Sequence, residues 1–568
     1  MFEEMVVEDV PISSSSTTHN LEVSELQTGV TEFDDLLVWC DDDLVKIYDR
    51  VCDHNGGKLL FNGEVFICPL HGWILDPATG QYQNVECIKK PTKIFRVADI
   101  DNEVKLDIDD NRRVLSTFTS LKNIEIRFIN HACLVISTED IMFGTDPWLF
   151  GPAFCNGWWL SKPSPKESLE LINECTFIYI SHNHSDHLHP ETLSKIRTDM
   201  PILTANYLSG STIRTLHKMG FDNIVTCDFG QRLVDRDREI SLSILKSGDF
   251  RDDSGLLVEL GKFSILLNVD SNLIDFWRFP ENLTMLCSTF AGGASGFPLC
   301  FDNYSQTEQI ELVKRNRNSI RSTNRSMLAK CQPKYFLPYA SFFSEKADRD
   351  SYIQRHNVKN TINDYESICS RLSIDLLDPD RFRRFIFSGT DLIEKNMPDE
   401  ELFTEISPSV YIDTTKKYYM DISRHEIECY FKHSNYNGRL YLVISLCNDD
   451  FEVVHERWSV EFAGDGTNKI IWHEEEFTQT FPLLEQSSTQ INYLHLRIRK
   501  ESFIQTIRHG SSWEDLSIGF QCRIERVPNV YNSDFWFHFS NVYIQDKVAR
   551  GSEICEICSS LKQERSDV

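Results

Sequence analysis

The chain has 568 residues, too many for a single hydrophobic core, so the usual domain size predicts three or four domains. Its 86 acidic and 58 basic residues give a formal charge of −28 spread along the chain, which argues against a nucleic-acid-binding surface. The chain has no run of eighteen apolar residues, no signal-peptide pattern and no short framework among its seventeen cysteines. We therefore expect a cytoplasmic protein without a membrane span.

Residues 1–20 are acidic and then rich in Ser and Thr. Their apolar content is too low to offset the entropy lost on ordering, so the sequence predicts a disordered tail, and a second tail at residues 551–568. Short alternating apolar runs separated by turn residues follow, which indicate a small all-β domain over residues 21–115.

Two Cys–His pairs lie in this β domain. Cys52 and His54 form the first pair, and Cys68 and His71 form the second. Two thiolates and two imidazoles arranged in this way are the ligands of a Rieske [2Fe–2S] cluster, in which the cysteines hold one iron and the histidines the other. A Cys2His2 zinc site uses similar ligands but normally separates its cysteine pair from its histidine pair, so we predict the cluster.

A second group of metal-binding residues follows an apolar strand at residues 177–180. Within six positions the sequence presents His182, His184, Asp186 and His187. A buried strand end fixes the directions of the side chains that follow it, so these four side chains can converge on one point. Imidazole and carboxylate at this density are the ligands that zinc or iron requires.

The rest of the chain divides into two further predicted domains. Strands and helices alternate over residues 116–400, with polar residues at the strand ends, which indicates a layered α/β domain. Residues 401–550 mix strands and helices without a catalytic constellation. We interpret them as an α+β domain that covers the site or binds a partner.

The motif His182-x-His184-x-Asp186-His187 resembles the metal motif of the metallo-β-lactamase superfamily, whose fold is a four-layer αββα sandwich. Joined to a Rieske-like domain, it resembles one family in particular, the CMP-N-acetylneuraminate monooxygenases, also called CMP-sialic acid hydroxylases. Further local matches to that family lie at residues 130–133, 146–154, 157–160, 290–298 and 513–521.

The superfamily resemblance implies two more ligands from later strand ends. Asp270 resembles the bridging aspartate, and Asp249 stands near the place where a histidine is expected. The last histidine of the superfamily pattern has no counterpart in residues 337–340. Asp146 and His131 also follow strands, and they are candidates for groups that support the ligands or line the pocket.

A mixed shell of histidine and aspartate suits non-haem iron with open positions, with zinc as the alternative. The family resemblance implies hydroxylation of the N-acetyl group of CMP-N-acetylneuraminate to the N-glycolyl form. It also implies O2 and electrons from NADH, delivered by cytochrome b5 and its reductase. Two alternatives are a hydrolase of a phosphodiester or lactone with a redox-sensing Rieske domain, and a non-catalytic descendant of the family.

Overall fold

The computed structural model describes residues 1–22, 28–32, 36–50, 52, 59–61, 65–68, 73–83, 88–97, 103–207, 209–247, 251–271, 274–473 and 492–542. The predicted fold class is confirmed, because the chain has an all-β region, a two-sheet region layered with helices and a C-terminal α+β region. None of the helices in these ranges has the length and apolar content that a membrane crossing requires.

The N-terminal segment is ordered into strands, which differs from the tail expected at residues 1–20. Strand β1 (Val6–Asp9) adds antiparallel to an edge of the large sheet described below. Strand β2 (Ile12–Glu22) pairs antiparallel with β10 (Glu103–Arg113). The few apolar side chains at the start of the chain pack on the main core, and Glu8 pairs with Arg232. These contacts and the edge hydrogen bonds of β1 offset the conformational entropy that this polar segment loses when it becomes ordered.

The small β region consists of two antiparallel sheets. One sheet contains β3 (Gly29–Glu32), β4 (Leu36–Cys40), β5 (Leu44–Asp49) and β9 (Lys93–Arg96). The other contains β6 (Leu60–Phe61), β7 (Phe66–Ile67) and β8 (Ile74–Leu75). Apolar side chains alternate inward along these strands and enclose both Cys52 and Cys68.

The central region contains two eight-stranded sheets that face each other. The first has the order β18-β17-β16-β13-β12-β11-β27-β28, and the second has the order β1-β19-β20-β21-β22-β23-β24-β26. Their strands are β11 (Asn123–Asn130), β12 (Cys133–Ser137), β13 (Met142–Thr145), β16 (Phe177–Tyr179), β17 (Ile202–Ala205), β18 (Ile224–Cys227), β19 (Gln231–Asp235), β20 (Ile240–Lys246), β21 (Ser254–Leu260), β22 (Phe263–Leu267), β23 (Met285–Thr289), β24 (Tyr335–Tyr339), β26 (Asp375–Leu376), β27 (Arg384–Ser388) and β28 (Asp391–Asn396). One apolar cluster joins the two inner faces, with Phe143 and Tyr179 from the first sheet and Val258 and Leu266 from the second.

Helices cover the outer faces of both sheets, which completes four layers. These helices are α1 (Ser168–Glu174), α2 (Pro190–Leu193), α3 (Ser211–Lys218), α4 (Gln306–Cys331), α5 (Ser351–His356) and α6 (Glu366–Leu372). Helices α1 to α3 bury residues against the first sheet, and α4 and α6 pack on the second. Strands β14 (Pro152–Ala153), β15 (Trp158–Leu160) and β25 (Phe343–Ser344) form a small sheet beside them.

The C-terminal region is a five-stranded sheet with helices, and it packs directly on the central region. Its elements are α7 (Pro408–Tyr418), α8 (Arg424–Lys432), β29 (Arg439–Cys447), β30 (Val454–Ala463), β31 (Asn468–His473), β32 (Tyr493–Arg499), α9 (Lys500–His509), α10 (Glu514–Ile518), β33 (Cys522–Val527) and α11 (Ser533–Phe537). One apolar cluster contains Trp148 and Trp158 of the central region together with Trp513 of this region. The two regions therefore share a core.

Candidate metal centres

Cys52 and Cys68 lie in the core of the small β region. Both are fully buried in one apolar cluster with Trp73 and Tyr82. The backbone N–H of Cys68 donates to the carbonyl of Trp73 at 2.8 Å. The other two predicted cluster ligands, His54 and His71, lie outside the described residues.

The histidine motif occupies the loop between β16 and α2. Strand β16 is buried and runs parallel to β13 on one side and β17 on the other, so its end lies at the same sheet edge as theirs. Ser181, the residue before the motif, donates its N–H to Asp146 Oδ1 at 2.8 Å and its hydroxyl to Asp146 Oδ2 at 2.7 Å. Asp146 follows β13 directly. This carboxylate therefore fixes the direction in which the motif leaves the sheet.

His182 and His184 face each other through one nitrogen each. Nε2 of His182 lies 2.8 Å from Nδ1 of His184. The second nitrogen of His182, Nδ1, lies 2.9 Å from the Ser181 hydroxyl and 3.4 Å from Asp253 Oδ1. The second nitrogen of His184, Nε2, lies 3.3 Å from Glu514 Oε2. Each ring is thus held by oxygen atoms on one side and presents its other nitrogen to a shared point.

A second group of side chains lies beside this pair of histidines and consists of Asp186, His187 and Asp270. His187 Nδ1 lies 3.0 Å from Asp146 Oδ2, and its Nε2 lies 3.3 Å from Asp186 Oδ2 and 3.4 Å from Asp270 Oδ2. His131 Nε2 lies 3.0 Å from Asp186 Oδ2. Two triads have ligand atoms within 4.8 Å of one another, one of them His131, Asp186 and His187, and the other His182, His187 and Asp270.

Several ligand atoms in this cluster are buried without a hydrogen bond to any residue that the structure describes. They are Asp186 Oδ1, His187 Nε2, Asp270 Oδ1 and His131 Nδ1. An orphaned buried acceptor costs free energy that a native protein normally avoids. Three of these residues belong to the motif or to its predicted partner, and their donor set is imidazole plus carboxylate. The cluster therefore fits a bound transition-metal cation.

The charges of the cluster also favour a cation. Burial alone raises the pKa of Asp186, but the charges and hydrogen bonds of His187 and His131 hold it well below its ordinary value. Burial lowers the pKa of His187, yet the charges of Asp186 and Asp146 hold it well above its ordinary value. Burial, together with the neighbouring histidines, lowers the pKa of His182 and keeps that ring neutral. The carboxylates thus hold positive charge at His187, and a bound cation would take the place of that proton, because a histidine ligand must be neutral.

The backbone around the cluster is strained at four strand ends. His131, Asp146, Val269 and Ala340 adopt φ values of 46°, 35°, 54° and 54°. A positive φ is unfavourable for any of these side chains and most of all for a β-branched one. At Val269 the backbone N–H donates to the Tyr339 hydroxyl at 3.1 Å, which holds the turn that presents the next residue to the cluster.

The structure brings the predicted residues of the motif together with the predicted strand-end aspartate, Asp270. Asp249 lies outside the described residues, so its role stays a prediction, while Asp253 near it lies against His182. Tyr339 and Ala340 occupy the late strand end, where the sequence already lacks a histidine. Glu514 was missed by sequence reasoning. The one feature of the sequence that points to Glu514 is its place in the local family match at residues 513–521, and that match implies no role for the residue.

Two family models match the chain in the predicted order. A Rieske [2Fe-2S] domain matches residues 12–102, and a beta-lactamase superfamily domain matches residues 125–242. The match to a Rieske [2Fe-2S] domain supports a [2Fe–2S] cluster in the small β region.

Curated relatives extend the similarity to most of the chain. The cytidine monophosphate-N-acetylneuraminic acid hydroxylase of Macaca mulatta is 27% identical, over 91% of this chain and 92% of that protein. The enzymes of the same name from Mus musculus and Danio rerio are each 26% identical, over 91% and 86% of this chain and 94% and 86% of their own lengths.

Solved structures are more distant. An isothiocyanate hydrolase from Delia radicum gut bacteria is 14% identical with a TM-score of 0.34, over 46% of this chain and 99% of that one. CmlA, a diiron beta-hydroxylase from Streptomyces venezuelae, is 13% identical with a TM-score of 0.32, over 61% and 69%. The resemblance predicted from the sequence rests on the curated relatives and is confirmed: the chain carries a Rieske domain followed by a beta-lactamase superfamily domain, and it is similar along nine tenths of its length to the cytidine monophosphate-N-acetylneuraminic acid hydroxylases.

Proposed function

We propose that this protein is a Rieske-type iron monooxygenase that hydroxylates the N-acetyl group of CMP-N-acetylneuraminate to give CMP-N-glycolylneuraminate. One methyl C–H bond, one O2 molecule, two electrons and two protons give one CH2–OH group and one water. The observation that carries this proposal is the pairing of a Rieske domain with a buried imidazole–carboxylate cluster, in a chain similar over 91% of its length to hydroxylases of that substrate. A hydrolase has no use for an electron donor.

We assign the ligands of the two centres as follows. Cys52, His54, Cys68 and His71 would hold the [2Fe–2S] cluster. The ligands of the non-haem iron would come from His182, His184, Asp186, His187 and Asp270, with Asp249 as a further candidate. When bound, the cluster supplies electrons and the iron activates O2 for insertion into a strong C–H bond.

The chain's own residues prepare this site in three ways. Asp146 holds Nδ1 of His187 at 3.0 Å, so Nε2 of His187 faces the imidazole–carboxylate cluster of the central region. The burial that keeps His182 neutral keeps its Nε2 lone pair available. The rings of Phe154, Trp148 and Trp158 lie within 6.4 Å of His184 or His131, centroid to centroid, and exclude water from that side of the cluster.

The electron donor we propose is cytochrome b5 with its NADH-dependent reductase, in the cytoplasm. Cytochrome b5 is acidic, and this chain has a net charge of −28. Docking would therefore depend on a local basic surface on the small β region, and it would weaken as the salt concentration rises.

A mass measurement tests the function. The purified chain, loaded with iron and supplied with a chemical or enzymatic reductant, is incubated with CMP-N-acetylneuraminate under 18O2. We expect a product that is heavier by one 18O atom. Product without 18O, or no product despite a loaded cluster and loaded iron, would contradict the substrate assignment. Oxygen-independent cleavage of a phosphodiester or lactone by zinc-loaded protein would favour the hydrolase instead.

A matched pair of cysteine variants tests the role of the cluster. Cys52→Ser should lose the visible absorbance of the cluster and all product, while the iron content of the second centre stays unchanged. Cys40→Ser is the control, because Cys40 is also a buried cysteine of the small β region but is not a predicted ligand. Equal turnover by the two variants would show that the cluster does not supply the electrons.

A further inference from the structure

Glu514, on the short helix α10 of the C-terminal region, reaches the metal cluster of the central region. Its Oε2 lies 3.3 Å from Nε2 of His184, across 330 positions of sequence. Both side chains are largely shielded from water, with exposed fractions of 13% for Glu514 and 10% for His184. This contact is therefore an interior one between two regions and not a surface ion pair.

The other nitrogen of His184 points to the cluster. Its Nδ1 lies 2.8 Å from Nε2 of His182, so the two nitrogens converge on one point. A histidine that binds a metal through one nitrogen commonly donates its second ring N–H to a carboxylate, which fixes the tautomer and the ring orientation. His187 follows this plan through Asp146, and His182 has the Ser181 hydroxyl at its outer nitrogen. Glu514 is the corresponding partner of His184.

Close backbone packing places Glu514 at this position. A Cβ atom on Gly519 would collide with the carbonyl of Phe154, and one on Gly157 would collide with the carbonyl of Gly519. Two glycines thus let the segment after α10 lie against the loop next to the motif. Trp158 Nε1 donates to the carbonyl of Ile518 at 2.9 Å, which secures the same contact.

Buried ion pairs anchor the two regions nearby. Arg499 Nη1 lies 2.7 Å from Asp350 Oδ1, and Arg349 Nη1 lies 2.5 Å from Glu501 Oε1. All four residues are shielded from water, and each pair joins a residue of the central region to one of the C-terminal region. Because an unpaired buried charge is costly, these pairs fix how the regions dock.

We propose that Glu514 is a positioning residue of the metal centre. The C-terminal region holds His184 so that Nδ1 faces the ion, and the affinity for the ion therefore depends on docking of that region. This inference rests on the metal site of the proposed function, but on neither its substrate nor its reaction. By reciprocity, a bound ion stabilises the docked position of α10.

Cobalt binding by the full chain tests the proposal. Co2+ replaces iron in the second centre, and its affinity is measured by competition with a chelator, while its d–d absorption reports the ligand geometry. Glu514→Leu removes the acceptor, and we expect affinity to fall by about 10- to 100-fold with an altered spectrum. Glu514→Gln restores a neutral acceptor at the same place and should recover part of the affinity.

The control is Glu461→Leu, an exposed glutamate on strand β30 of the same region, which should bind Co2+ like the unmodified chain. The absorbance of the Rieske cluster should be equal in all variants. Unchanged Co2+ affinity and spectrum in Glu514→Gln and Glu514→Leu would overturn the proposal. If Glu514→Leu does not fold, the Gln variant decides alone, because Gln donates and accepts differently from a carboxylate.

Hydrogen exchange provides a second readout that needs no turnover. Co2+ should slow amide exchange of residues 513–521 in the unmodified chain, and much less in Glu514→Leu. Equal protection in both chains would also overturn the proposal. Lack of hydroxylated product with normal Co2+ behaviour would instead contradict only the proposed function, so the two failures are distinguishable.

Discussion

The two halves of the metal centre are supported by different parts of the chain. The inner half consists of Asp186, His187 and Asp270, and its supporting groups all come from the central region. The outer half consists of His182 and His184, and His184 is held by Glu514 from the C-terminal region. The inner half is therefore complete once the two sheets pack, whereas the outer half also requires docking of a second region.

Burial differs within each half: Asp270 of the inner half is 21% exposed, and His182 of the outer half is 2% exposed. The inner-half residues Asp186 and His187 have side-chain exposures of 1% and 0%. His184 and Glu514 retain 10% and 13%. In a fully buried site, the loss of a hydrogen-bond partner lowers the free energy of unfolding, because no water can take its place. In a partly exposed site, water can replace the lost partner. Substitutions around Asp186 and His187 should consequently have larger effects on stability than substitutions around His184 and Glu514.

Asp146→Ala should have the largest effect on stability. It removes the carboxylate that accepts from Ser181 and holds His187, and it leaves a buried imidazole without its partner. We expect the free energy of unfolding of the central region to fall by about 3–5 kcal/mol. Denaturant unfolding followed by circular dichroism measures this loss, and metal content should fall with it.

The control for Asp146→Ala is Asp199→Ala. Asp199 forms an exposed ion pair with Arg197 at 3.0 Å, and such pairs contribute about 0–1 kcal/mol. If both variants unfold at the same denaturant concentration, Asp146 does not support the inner half.

The sequence was sufficient for the parts of this centre that depend on local order. An apolar strand followed by His182 to His187 predicts a ligand turn, and the structure has β16 ending in that turn. The position of this turn follows from strand periodicity and chain order. Asp270 comes shortly after the apolar run of β22, and its place near the motif was implied by the superfamily resemblance.

Tertiary packing decided the rest, which the sequence could not predict. The contact of Glu514 with His184 depends on how two regions dock, and no periodicity connects residues 330 positions apart. Similarly, the polar composition of residues 1–20 predicts disorder, but residues 6–9 pair with β19 at the edge of the sheet. Edge pairing and interdomain docking are decided by surfaces that exist only after folding.

Trp158→Phe should have an intermediate effect, because it removes a hydrogen bond that secures α10. The substitution keeps the ring that stacks on Phe343 but leaves the carbonyl of Ile518 without its donor. We expect a loss of about 1–2 kcal/mol in stability and a weaker affinity for Co2+. Chelator competition and thermal unfolding measure the two effects on the same sample.

Trp159→Phe is the matched control for Trp158→Phe. Trp159 is the next residue and is also buried, but its Nε1 makes no hydrogen bond within the described part of the chain. Its Co2+ affinity should stay that of the unmodified chain. An equal loss of affinity in both tryptophan variants would mean that ring packing, and not the hydrogen bond to Ile518, positions α10.

Ser540→Ala should have the smallest effect, because the backbone of Glu514 has two acceptors. Its N–H donates to Ser512 Oγ at 3.1 Å and to Ser540 Oγ at 3.3 Å. Losing one acceptor leaves the other, so Ser540→Ala should change stability by less than about 0.5 kcal/mol. The double variant Ser512→Ala/Ser540→Ala removes both acceptors and should cost about 1–2 kcal/mol, more than the sum of the single changes. Thermal unfolding of the four chains gives the coupling energy, and strict additivity would show that α10 is held at the outer half by other contacts.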